Sequence, residues 1–147
     1  MKTSIVDSFT NVPFKGNPAG VCQVDRELTD EVMLLIAQEL GLSETVFVRP
    51  VDADRFSVRF FSPKMEIPLC GHATLAAAKV VFSDSAPTEI CFLTQQGLIL
   101  RVSRRGDWLR MEFPANKLNL PMRLHNCLPH SGWIRFSHLR LISRRRS

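Results

Sequence analysis

The chain has 147 residues, 45% of them hydrophobic and 22% charged, which suffices for one domain with a buried core. No apolar run approaches the roughly 20 residues that cross a bilayer, so no membrane association is expected. The formal net charge of +5 is unevenly spread: from Lys117 onward there are seven basic and no acidic residues, leaving twelve basic against fourteen acidic in 1–116, and no nucleic-acid partner is expected for a body of that balance.

The start, MKTSIVDSFT, has one lysine and too short an apolar stretch for an export signal, and reads as a first strand over 3–9. NVPFKGNPAG (11–20) holds two prolines, two glycines and two asparagines and reads as a loop, with extended structure resuming over 20–24. Residues 28–41 form the clearest surface helix. Thr29 suits its cap, Asp30 and Glu31 its positive N-terminal end, and Gly41 the position just past its last turn. Val32, Leu35, Ile36 and Leu40 are the expected apolar stripe, with Gln38 and Glu39 off it. A strand is expected over 43–48. In RFSVRFF (55–61), Phe56, Val58 and Phe60 share one face and Arg55, Ser57 and Arg59 the other, the mark of a half-buried strand. A helix from 72 to about 82 is apolar nearly all round (Ala73, Leu75, Ala76, Ala77, Ala78, Val80, Val81) and belongs inside the domain. Residues 89–103 read as two strands joined around 95–97, and 106–113 alternates again. Two strand-rich stretches flanking a buried helix imply a mixed α+β layout.

The four cysteines, Cys22, Cys70, Cys91 and Cys127, are widely spaced and form no CxxC pair, so reduced thiols in a cytoplasmic protein are expected. One of them sits in EIPLCGHATLAAA (66–78), where reactive side chains run straight into the apolar helix. A helix starting there leaves its first N–H groups without intrahelical partners. The partial positive charge favours an anion, and Gly71 removes the side chain that would bar a close approach, so a small carboxylate ligand fits. From residue types alone, a tight turn over 68–71 with His72 merely satisfied at the helix start explains the same residues.

DSFTNVPFKGNPAGV, IAQELGLSETVFV and VRFFSPKMEIPLCGHATLAAAKVVF, in that order, resemble the N-terminal half of the PhzF-like phenazine-biosynthesis family, which shares the diaminopimelate-epimerase fold; LTQQGLILRV and LRMEFPA resemble it too. The likeness covers about 1–116. It implies one of two pseudo-symmetric domains facing each other across a cleft, each a strongly curved mixed sheet around a central helix, here 72–82 with its N-terminus opening into the cleft. It further implies a cofactor-free isomerase, with no metal, in which Glu44 of LSETVF is the acid/base that takes a proton from one carbon and returns one to another. A carboxyl group kept from bulk water can do both jobs. His72 matches a substrate-contacting histidine, Gly71 its adjacent backbone donor, and Asn17 of the GNP loop a cleft-lining position. Related racemases and epimerases use a cysteine at the turn occupied by Cys70, where a helix N-terminus would lower the thiol's pKa. Because Gly-His-Ala-Thr follows and SET is present, Cys70 is expected as a small buried residue near the site, with a cysteine-based epimerase as the alternative.

The family's second half supplies an aspartate and a DPVTGSA-like loop to the other wall of the cleft, and nothing in 117–147 resembles either. Three expectations follow: a truncated or out-of-frame product, genuine over 1–116 only; a half-size chain that pairs with a second copy; or a binding remnant with a basic tail. Within the tail, His125, Cys127 and His130 have metal-ligand types without a clear fourth member. Trp133, Phe136 and Leu139 fall at helical intervals among arginines and read as a solvated tail rather than a membrane or nucleic-acid contact.

Overall fold

The chirality of strand crossovers decides where the two helices go. The structure, a computed structural model, describes residues 1–84 and 87–112 and the backbone of Ile134–Arg135. β1 (Lys2–Ser8) and β2 (Asn17–Gln23) form an antiparallel hairpin, and α1 (Asp30–Leu40) carries the chain to β3 (Glu44–Pro50), parallel to β2. β3 turns into antiparallel β4 (Arg55–Phe61), then short β5 (Glu66–Ile67) and α2 (Gly71–Asp84) lead to β6 (Glu89–Thr94), parallel to β4. Antiparallel β7 (Ile99–Arg105) and β8 (Trp108–Glu112) follow, and β9 (Ile134–Arg135) pairs with β8 at Trp108 and Leu109. The sheet order β1-β2-β3-β4-β6-β7-β8-β9 thus contains two crossovers that step the same way along the sheet from strands of opposite direction. Crossovers of one hand must then put their helices on opposite faces.

The burial pattern agrees. One face holds α2 against Val6, Val21, Val46, Val48, Val58, Phe60, Phe92 and Leu100, all buried. The opposite face holds α1 against Cys22, Val24, Phe47 and Phe61. The mixed sheet curls around α2, whose 14 residues include nine that are buried, as the all-apolar sequence requires. Its alanines admit the strands closely: Ala73, Ala76, Ala77 and Ala78 have no exposed surface. This is the α+β, curved-sheet layout expected from the sequence. Among the described residues, no helix is long and apolar enough to cross a membrane.

Two expectations are corrected. The buried stripe of α1 is Met33 and Ala37 with Leu34, Ile36 and Leu40 partly buried, whereas Val32 and Leu35 are exposed. Positions 33, 36, 37 and 40 repeat at the helical interval, and ranking by hydrophobicity passed over the small Ala37. Asn17 lies in β2, opposite Ser8, rather than in a loop. The loop ends at Gly16, where a Cβ would sit 2.4 Å from the Ser8 carbonyl oxygen; glycine lets the chain fold back early enough to pair from residue 17. Thr29 caps α1 through its hydroxyl, accepting from the Val32 N–H, and Gly41 closes it at φ 63°, both as expected. The boundary at 116/117, the His125, Cys127 and His130 set, and the Trp133, Phe136 and Leu139 spacing lie outside the described residues.

Candidate functional site

Side chains alternate across a strand, and that alternation aims Glu44. Val46 and Val48 point to the α2 face, so Glu44, two residues before Val46, points there too, at the very start of β3. The parallel pairing of β2 with β3, and the antiparallel pairing of β1 with β2 and β3 with β4, bring Ser8, Asn17, Glu44 and the end of β4 to the same end of the sheet. The N-terminus of α2 is fixed at that end as well: the Ser8 hydroxyl donates to the backbone carbonyl of His72 at 2.8 Å.

Three side chains meet there. Nε2 of His72 lies 3.1 Å from Oε2 of Glu44, and Nδ1 of the same ring lies 3.2 Å from Sγ of Cys70. His72 keeps 11% of its side-chain surface exposed and Glu44 23%, so the imidazole is enclosed and the carboxylate reaches outward. The approach of Nε2 to Glu44 is close but falls outside hydrogen-bond geometry, and this enclosed nitrogen has no aligned partner among the described residues. Burial holds the imidazole below its ordinary value of 6.5, while the Glu44 charge pulls it part of the way back.

Cys70, expected as a small buried residue near the site, is partly buried against the core. Burial pushes its thiol up to about 12, and the Glu44 charge adds to this against hydrogen bonds from the backbone N–H groups of Ala73 and His72. Desolvation and a neighbouring carboxylate outweigh the pull of the helix terminus on which the cysteine-based alternative would rely. With the thiol protonated, S–H is the natural donor to Nδ1, which makes Nε2 the protonated nitrogen, close to Glu44 but not aligned on it. The Cys70 carbonyl also accepts from the Thr74 hydroxyl at 2.7 Å, tightening the first turn.

Of the residues singled out from the sequence, Glu44, Cys70 and His72 are brought into one cluster, with Gly71 between the last two as the first residue of α2. Asn17 is exposed at the same end of the sheet, two residues before Ala19, which pairs with Glu44. Ser8 was missed. The signal available was its phase, since Ser4, Val6 and Ser8 all face inward from β1.

A family model described as phenazine biosynthesis-like protein, PhzC-PhzF, matches residues 6–126. An uncharacterised isomerase of Halalkalibacterium halodurans is 45% identical over 116 residues, covering 77% of this chain and 43% of that protein. An uncharacterised isomerase of Pseudomonas aeruginosa is 48% identical over 114 residues, covering 76% and 43%. Among solved structures, a phenazine biosynthesis PhzC/PhzF protein from Clostridium difficile superposes with a TM-score of 0.71 at 50% identity, covering 78% of this chain and 44% of that one. The chain spans little more than two fifths of the length of these relatives.

Proposed function

The chain belongs to the phenazine biosynthesis-like PhzC-PhzF family, and from that premise we propose that it is one wall of a cofactor-free isomerase in which Glu44 moves a proton on a small carboxylate or amino-acid substrate. The observation that carries this is the convergence of Glu44 and His72, 3.1 Å apart at the mouth of the buried helix and far apart in sequence. Glu44 is the more exposed of the two and so the better placed to meet a substrate carbon. His72 presents its Nε2–H beside that carboxylate, where it would hold a substrate oxygen while the proton leaves one carbon and returns to another. Gly71 and Asn17 complete the wall, Gly71 through the backbone at the start of α2 and Asn17 from the rim. A thiol pushed up to about 12 is a poor base at neutral pH, which ranks the cysteine-based epimerase behind Glu44.

Proton transfer at carbon needs groups converging from both sides of the reacting atom. The reading therefore includes a partner that supplies the second wall, a second copy of this chain or a separate one. Phe9, Val12 and Phe14, exposed on the loop between β1 and β2, offer apolar surface at the same end of the sheet. A cytoplasmic site of action fits Cys22, Cys70 and Cys91, which are all free thiols.

The test is incorporation of solvent deuterium at carbon in dihydroaromatic amino acids, run across protein concentration with sedimentation to follow association. Exchange is expected to fall by about 10²–10⁴-fold in Glu44→Gln and to persist in Cys70→Ser. Exchange that survives Glu44→Gln and vanishes in Cys70→Ser reverses the assignment. No exchange at any concentration leaves an inactive remnant.

A further inference from the structure

The cluster has a second chemical property, independent of proton transfer. Sγ of Cys70, one ring nitrogen of His72 and one carboxylate oxygen of Glu44 all lie within 4.8 Å of one another. A soft sulfur, an imidazole nitrogen and a carboxylate oxygen form the donor set that zinc-type cations take. With metal–ligand bonds of about 2.0–2.3 Å, donors around one tetrahedral ion sit about 3.3–3.6 Å apart. The contacts of 3.2 and 3.1 Å engage opposite nitrogens of the His72 ring, of which one ion takes a single one, so rotation of the Cys70 or Glu44 side chain brings the remaining donor to that nitrogen. A further feature points to a ligand: Nε2 is enclosed without an aligned partner, a costly state for a buried polar nitrogen.

We propose that Glu44, Cys70 and His72 form a three-ligand site for a thiophilic divalent cation of the zinc type, with a fourth position open to water on the exposed side of Glu44. As the cation binds, the Cys70 S–H bond breaks, its proton passes to solvent, and sulfur joins the metal in place of one of the ion's waters. His72 binds through one neutral ring nitrogen. A cation seated there occupies the Glu44 carboxylate, so zinc would suppress the isomerase; that consequence rests on the proposed function, while the binding itself does not. The sequence carries no fingerprint for the site because Glu44 comes from β3, 26 positions before Cys70, which lies just ahead of α2.

The test is titration of the full chain, freshly reduced, with Co²⁺ as a spectroscopic stand-in for Zn²⁺, with circular dichroism to confirm that each variant is folded. One equivalent is expected to give a near-ultraviolet sulfur-to-cobalt charge-transfer band. The band is expected to be lost in Cys70→Ser and, should that variant misfold, in Cys70→Ala or His72→Gln, to require more cobalt in Glu44→Gln, and to persist in Cys91→Ser and Cys127→Ser. No band in the unmodified chain overturns the site. So does a band that survives loss of Cys70 or disappears with Cys127, which would place the metal with His125 and His130 instead.

Discussion

The two helices of this chain sit on opposite faces of one sheet and obey different rules. α1 buries two of its eleven residues, α2 nine of fourteen. A surface helix is held by one stripe and is indifferent to most of its remaining positions. A helix enclosed by a curled sheet is held on every side, so groups at its mouth inherit the rigidity of the core. That is why His72 and Cys70, at the start of α2, can be aimed at Glu44 from another element, whereas no group on α1 takes part in the cluster.

The contrast is testable at four levels, from the largest effect downward. Leu75→Ala opens a cavity in α2 where no solvent reaches, and a loss of about 2–5 kcal/mol is expected in urea unfolding. A loss below about 1 kcal/mol would show that α2 is not the held element.

The second level is the alkaline limb. Cys22, beneath α1, is pushed up to about 11 by burial, against a hydrogen bond with Thr3, and Cys70 is pushed up to about 12, both from 9.0. Thiols raised in the folded state add stability that is complete below pH 9.0 and is lost as pH climbs toward the folded values. The unfolding midpoint is therefore expected to fall above pH 9.0, with each thiol contributing about 1 kcal/mol for each pH unit beyond it. Cys70→Ser is expected to flatten this limb over a wider range than Cys22→Ala; an unchanged limb in both would remove burial as its cause.

The third and fourth levels belong to α1. Thr29→Ala removes a cap bond to the Val32 N–H and is expected to cost about 1 kcal/mol in thermal unfolding. Leu35→Ala, at a side chain 63% exposed, is expected to change stability by no more than about 0.5 kcal/mol. A cost at Leu35 matching that at Leu75 would erase the distinction between the helices.

Much of this architecture was legible beforehand. The all-apolar run of α2 has no polar face to offer water, so its burial follows from composition alone. β4 declared its faces through Phe56, Val58 and Phe60 against Arg55 and Arg59, and Thr29 and Gly41 marked both ends of α1. The exact stripe of α1 was not legible, because Val32 and Leu35 are as apolar as the residues that are buried and only the neighbouring strands select between them. The start of β2 was hidden by Pro18 and Gly16, residues that signal a loop and here permit a tight return into an edge-proximal strand.

The candidate site was legible in its members but not in its chemistry. Glu44 and His72 came from the family pattern, and strand alternation accounts for their meeting. For Cys70, the helix N-terminus alone argues for thiolate, while the neighbouring Gly-His-Ala-Thr and SET argued for a small buried residue; the burial and the nearby Glu44 that raise its thiol are tertiary facts. Ser8, which ties β1 to the first turn of α2, gives no sign in the sequence that its partner lies 64 residues away.

The most direct measurement of the central arrangement is the NMR titration of the His72 ring in the unmodified chain and in Glu44→Gln. The imidazole is expected to titrate below 6.5 because it is buried, and lower still once the carboxylate that favours its charged form is gone. A ring that titrates at its ordinary value and ignores the loss of Glu44 would mean that the two side chains do not share the mouth of the buried helix.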